Sequence, residues 1–132
     1  MIVVDASVLA EALTGSGPVA EAAWDVLERD SRWAGPPMLK TEVLSVIRGR
    51  LLGKKITQEA ADEAVADLIA MVVDTIAEDC LIPRAWELRG NLTAYDATYV
   101  AAAEALGCPL VTMDVRLSRA IGPRCAVHVI EP

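Results

Sequence analysis

Very short apolar runs alternate along this chain with helical patterns, and that alternation limits the fold more than any other feature. Ile2-Val3-Val4 opens the sequence and gives way to helical spacing over 7–13. After the breaker Gly15-Ser16-Gly17-Pro18, a second helix is expected over 19–29. Pro36-Pro37 introduces a third, with Leu39, Val43, Val46, Ile47 and Leu51 on one face and Gly53-Lys54-Lys55 at its end. Thr57 suits the N-cap of the next, where Ala61, Ala64, Val65, Leu68, Ile69 and Val72 keep the i, i+3, i+4 rhythm. A brief strand is expected over 74–77, helices over 83–89 and 95–106, and a strand at Leu110-Val111-Thr112. A short helix over 115–120 and a strand over 126–130 complete the chain. Short apolar strands separated by helices predict an α/β fold, with a mainly parallel central sheet and helices on both faces.

With 132 residues and no linker or repeat, the sequence reads as a single domain, 1–132. A core of that size holds without disulfide or metal, so a metal site would be functional rather than structural. The chain is rich in apolar residues, 54% with mean hydropathy +0.37. No apolar run approaches the ~20 residues of a membrane span, and no basic segment precedes the first strand as in a signal peptide. A cytoplasmic protein is expected. Cys80, Cys108 and Cys125 are odd in number and form no CxxC, so they suit neither a disulfide framework nor a zinc site and are expected to be buried and inert. The lone histidine, His128, falls in the last strand, which speaks against a Ser/His/Asp triad.

In open parallel sheets ligands sit beyond the carboxyl ends of the strands. Asp5 directly follows the first strand, and Asp114 follows Leu110-Val111-Thr112 after one residue. Asp96 opens the helix that leads into that strand, and Glu42 falls on the border of the third helix's apolar stripe. Taken singly, Asp5 and Asp114 read as N-caps, Thr93 and Asp96 as a capping box, and Glu42 as a solvated side chain. Taken together, they are carboxylates gathered at one edge, whose repulsion a hard divalent cation would relieve. Mg²⁺ and Mn²⁺ take such oxygen ligands together with water and phosphate, which suggests phosphate chemistry.

Met1-Ile-Val-Val-Asp5-Ala-Ser7, Lys40-Thr-Glu42-Val-Leu-Ser-Val, Leu92-Thr-Ala-Tyr-Asp96-Ala-Thr-Tyr-Val-Ala and Gly107-Cys-Pro-Leu-Val-Thr112-Met-Asp114 resemble, in order and spacing, the PIN domain. In particular the chain resembles VapC-type toxins of VapBC toxin–antitoxin modules, over essentially its whole length. The resemblance implies a PIN-like three-layer fold and a Mg²⁺- or Mn²⁺-dependent endoribonuclease that leaves 5′-phosphate and 3′-hydroxyl ends. It implies Asp5 and Asp96 as principal metal ligands, Glu42 and Asp114 completing the pocket directly or through water, and Ser7 and Thr112 as supporting hydroxyls. A homodimer, a VapB-like antitoxin and a toxin–antitoxin hetero-oligomer are further implications. Some relatives carry another acid just after the position of Asp114, whereas Val115-Arg116-Leu117-Ser118 supplies none. One tightly held ion, with a second arriving alongside RNA, is therefore expected.

A net charge of −7 is unusual for an enzyme of RNA, so the distribution of cations matters more than their total. Arg48, Arg50, Lys54 and Lys55 form one stretch without acids, and Arg116, Arg119 and Arg124 another. They are RNA-binding candidates or ordinary solvated faces. With no Phe, three Trp and two Tyr, few side chains can stack on bases; Tyr95 and Tyr99 lie nearest the expected pocket, Tyr99 with a role in the core. The apolar stripes over 19–27 and 39–52, with Trp24 and Trp33, serve as core or as an interface. A haloacid-dehalogenase-like phosphatase would place a second Asp where Ser7 stands, and a receiver-like phosphoacceptor would need a Lys after a later strand. A PIN-like domain that binds without cutting is the remaining alternative.

Overall fold

The computed structural model describes residues 1–131; Pro132, the last residue of the expected domain, lies outside them. In chain order the elements are β1 (Ile2–Val4), α1 (Ala6–Thr14), α2 (Pro18–Glu28), β2 (Trp33–Gly35), α3 (Leu39–Leu52) and α4 (Gln58–Ala70). They continue with β3 (Val73–Thr75), α5 (Glu78–Glu87), α6 (Ala94–Leu106), β4 (Leu110–Thr112), α7 (Val115–Arg119) and β5 (Val127–Val129). The strands form one sheet in the order β3-β2-β1-β4-β5, and all four pairings are parallel.

The chain builds outward from β1 to β2 and β3, then crosses back to add β4 and β5 on the other side. Because parallel crossovers keep one hand, reversing direction puts the later helices on the opposite face. α1 packs with α2, α3 and α4, whereas α6 packs with α5 and crosses β1, β2 and β4. Three layers result. The direction reverses between β1 and β4, where Val3 stands beside Leu110 and Val4 beside Val111. Both strands are buried along their whole length, which accounts for their continuous apolar sequence. Small side chains let α6 sit equally deep: every residue from Ala97 to Ala103 is buried. Gly107 closes that helix in the left-handed region at φ 64°, where an L side chain would be strained.

Several elements depart from the sequence reading. β2 has no counterpart in the sequence pattern, since Trp33-Ala34-Gly35 has no β-branched residue; its pairing with both β1 and β3 makes it a strand. α5 begins at Glu78 rather than near residue 83 and carries Pro83 inside it. Cys80 is exposed, because neighbouring Leu81 takes the buried face of α5, and Cys108 and Cys125 are only half-buried. Trp24 and Trp33 pack against the core, and their indole N–H groups donate to the carbonyls of Ala12 at 2.7 Å and Leu27 at 2.9 Å.

Candidate active site

Asp5 leaves β1 with an extended backbone and caps α1, so its carboxylate lies over the carboxyl end of the sheet. One oxygen accepts from the amides of Ser7 at 3.0 Å and Val8 at 3.4 Å and from the Ser7 hydroxyl. The other accepts from the Thr112 hydroxyl at the end of β4. Each hydroxyl is itself held from behind: the Met113 amide donates to Ser7 Oγ at 3.1 Å, and the Asp114 amide to Thr112 Oγ1 at 3.0 Å. Two short relays thus fix the orientation of one carboxylate. Asp5 is 8% exposed, and its burial raises its pKa against the opposing pull of these bonds.

Glu42 stands in the first turn of α3. Its Oε1 is buried with no hydrogen-bond partner, and the neighbouring Tyr99 hydroxyl is likewise without a partner of good geometry. Burial raises the Glu42 pKa, and the charges of Asp5 and Asp96 raise it further, while proximity of the phenol opposes them. Burial also holds the Tyr99 phenol well above its ordinary range, and the charge of Glu42 adds to that. Asp96 lies in the first turn of α6, whose N-cap Thr93 accepts from the Asp96 amide at 3.2 Å. Its carboxylate lines a cavity of about 350 Å³ with Asn91, Thr93, Asp114, Arg116 and Arg119. Burial raises its pKa, as does the charge of Asp114, against the nearby Arg116.

Asp114 differs from the other three. It caps α7 by accepting from the Arg116 amide at 2.9 Å, and the Arg116 guanidinium closes on both its oxygens at 3.2 and 3.0 Å. That pairing holds its carboxyl below the usual range.

Four elements therefore bring carboxylates to one end of the sheet, where burial raises the pKa of Asp5, Glu42 and Asp96 and neighbouring acids add to the rise at Glu42 and Asp96. Among the described residues no group of three or more His, Cys, Asp or Glu side chains is placed to hold a metal ion between them. An open arrangement still suits Mg²⁺, which keeps several waters and takes one or two carboxylates. All donors here are oxygens, and one buried Glu42 oxygen is unpartnered, so the residues present fit a hard divalent cation rather than a soft one. A larger cavity, about 650 Å³, lies away from these carboxylates beside Cys108 and Cys125. His128 is exposed on β5 and takes no part in the cluster.

The cationic candidates separate into distinct environments. Arg50 donates to Thr14 Oγ1 at 2.7 Å and to a Glu11 oxygen at 2.8 Å, tying α3 to α1. Arg48, Lys54 and Lys55 are exposed, as is Arg124. Arg119 and Arg116 stand at the cavity that holds Asp96. Asn91 also lines that cavity and went unnoticed in the sequence, where an isolated Asn carries no chemical signal.

The PIN domain family profile matches residues 2–122. The chain belongs to the PIN-domain family. This PIN domain is 37% identical to Ribonuclease VapC1 of Mycobacterium tuberculosis over 130 residues, 97% of this chain and 96% of that one. It is 35% identical to Ribonuclease VapC9 of the same organism, covering 98% of each chain. These relatives place it in the VapC group. Two solved structures share the fold at lower identity. Mycobacterium tuberculosis VapC20, described as a sarcin-ricin loop cleaving toxin, matches with TM-score 0.67 at 21% identity over 90% of this chain and 94% of that one. PAE2754 of Pyrobaculum aerophilum matches with TM-score 0.67 at 22% identity over 97% and 83%.

Proposed function

We propose that this PIN domain is a divalent-metal-dependent endoribonuclease, the toxin of a VapBC-like toxin–antitoxin pair acting in the cytoplasm. The observation that carries the reading is the buried, unpartnered Glu42 oxygen near the carboxylates of Asp5 and Asp96, in a chain 37% identical to Ribonuclease VapC1. Asp5 and Asp96 would be the principal ligands of Mg²⁺ or Mn²⁺, with Glu42 and Asp114 completing the shell directly or through water. Such a cation, when bound, lowers the pKa of water and offsets charge on a phosphate.

The chain's own residues do the rest. Ser7 and Thr112 hold the Asp5 carboxylate in one orientation. Glu42 offers an oxygen committed to no other partner, suited to a ligand or to receiving a proton from water. Arg119 and Arg116 supply positive charge at the cavity where RNA phosphate would enter, and Arg116 can exchange its hold on Asp114 for that phosphate. With water attacking phosphorus and the P–O3′ bond breaking, the 3′ oxygen leaves and takes up a proton, so the ends are a 5′-phosphate and a 3′-hydroxyl. Arg48, Lys54 and Lys55 extend the RNA contact. A homodimer and a VapB-like antitoxin complete the assembly, with apolar side chains such as Leu44 and Ile69, exposed between α3 and α4, available to a partner.

The test is cleavage of a structured RNA pool by the antitoxin-free protein with Mg²⁺ or Mn²⁺, beside EDTA and Asp96→Asn controls, with product ends mapped. Metal-dependent cuts leaving 5′-phosphates and absent from both controls are expected. Cutting that persists in Asp96→Asn would point to a contaminating nuclease and overturn the reading.

A further inference from the structure

Trp86 stands apart from the other tryptophans: it lies on α5 and is 66% exposed. The Arg89 guanidinium lies over its ring, 4.6 Å from the centroid, and is pinned there by donating to the Trp86 carbonyl at 2.9 Å. The result is a flat aromatic surface backed by a fixed positive charge. It borders a groove of about 480 Å³ whose walls include Ile82, Ala85, Leu92 and Thr98, with Glu78 at its margin. Leu92 and Thr93 line both this groove and the cavity that holds Asp96, so the two adjoin.

We propose that this groove receives an unpaired nucleobase of the RNA substrate, stacked against the Trp86–Arg89 pair while a neighbouring phosphate lies at the carboxylates. The proposal rests on the ribonuclease reading above and adds the residues that choose the substrate. Planar bases carried on an anionic backbone match both halves of the pair, an aromatic face and a cation. Single-stranded RNA is recognised by stacking on such surfaces, with little dependence on which base is present. Glu78 then adds preference for guanine, whose adjacent N1–H and N2–H donors match the two oxygens of a carboxylate.

The test uses the purified full chain in EDTA, where nothing is cut, and reads tryptophan fluorescence against a single-stranded oligoribonucleotide and an abasic oligomer with the same backbone. Quenching by the first and not the second is expected. Trp86→Leu should abolish the quench and weaken binding about tenfold, and Trp86→Phe should recover part of the affinity. With metal added, Trp86→Leu should raise KM for RNA about tenfold with a smaller change in kcat. Equal affinity of Trp86→Leu and the parent, or equal quenching by the abasic oligomer, would overturn the proposal. So would conversion of a dimer to a monomer by Trp86→Leu with RNA affinity unchanged, which would make the groove a self-interface. Loss of metal-dependent cleavage as an activity would count against the nuclease reading alone, because the quench is read without it.

Discussion

The Thr112 hydroxyl donates to the Asp5 carboxylate across the β1–β4 boundary, joining residues 107 positions apart in the chain. The bond exists because parallel pairing of the two central strands brings their carboxyl ends level. Ser7 holds the other oxygen of the same carboxylate. Neither hydroxyl needs to touch a metal to matter, since residues that orient a ligand commonly alter metal affinity or activity 10–100-fold.

Thr112→Val should accordingly lower metal-dependent RNA cleavage by about 10–100-fold. Thr112→Ser, which keeps the donor, should restore most of it. Steady-state cleavage rates with circular dichroism as a fold control decide the matter. A Val variant as active as the parent would remove the relay from the mechanism.

Glu42 carries a pH signature. Burial, then the charges of Asp5 and Asp96, raise its pKa, so the metal-free folded state binds this proton more tightly than the unfolded chain does. The stability it contributes is complete below the unfolded pKa and is lost as pH rises through the folded one. Near neutral pH the ionised group is therefore a penalty, and Glu42→Gln should raise the Tm of the metal-free protein by a few degrees. That gain should fade as pH falls toward about 4, the ordinary carboxylate range. Thermal unfolding in EDTA across pH tests this, and a gain independent of pH would show that charge is not the cause.

Divalent cations should reverse that penalty. Mn²⁺ at about 100 times its Kd adds about 2.7 kcal/mol to a protein that binds it only when folded. The parent should show a matching, EDTA-reversible rise in Tm, and Asp96→Asn much less. Equal rises in both proteins would place the ion somewhere other than the carboxylate cluster.

Arg50 and Arg48 should behave oppositely although they lie two residues apart. Arg50 is held by Thr14 and Glu11, with Arg50 30% and Glu11 20% exposed in their side chains, so Arg50→Ala should cost about 1 kcal/mol of stability. Arg48 is exposed, and Arg48→Ala should instead weaken RNA binding and flatten its salt dependence. Denaturant melts and binding at several salt concentrations separate the two effects. A stable Arg50→Ala protein with impaired RNA binding would return Arg50 to the RNA surface.

Much of the site was legible because strand ends are legible. Ile2-Val3-Val4 and Leu110-Val111-Thr112 are apolar enough to demand burial, and an acid that can cap a helix follows the first directly and the second after one residue. Thr93-x-x-Asp96 was equally readable as a helix start, and the Thr93 half of that cap does form. Trp33-Ala34-Gly35 was not, because its strand character comes from neighbours on both sides rather than from its own residues. The basic stretch at residues 48–55 read as one feature, yet helical geometry turns Arg50 toward α1 and leaves Arg48 outside.

The order of residues along the chain is enough to set the alternation of strand and helix, the acids at the strand ends and the resemblance that names the family. These depend on local periodicity and on residues within a few positions of each other. Only the fold in three dimensions sets the charges of Asp5 and Asp96 near Glu42, lets Thr112 orient Asp5 and puts Trp86 in a groove that adjoins the Asp96 cavity. Electrostatic coupling and hydrogen bonding act over a few ångströms of space, and the packing of α1 on α3 together with the crossover from β3 back to β4, beside β1, brings such distant residues within that range.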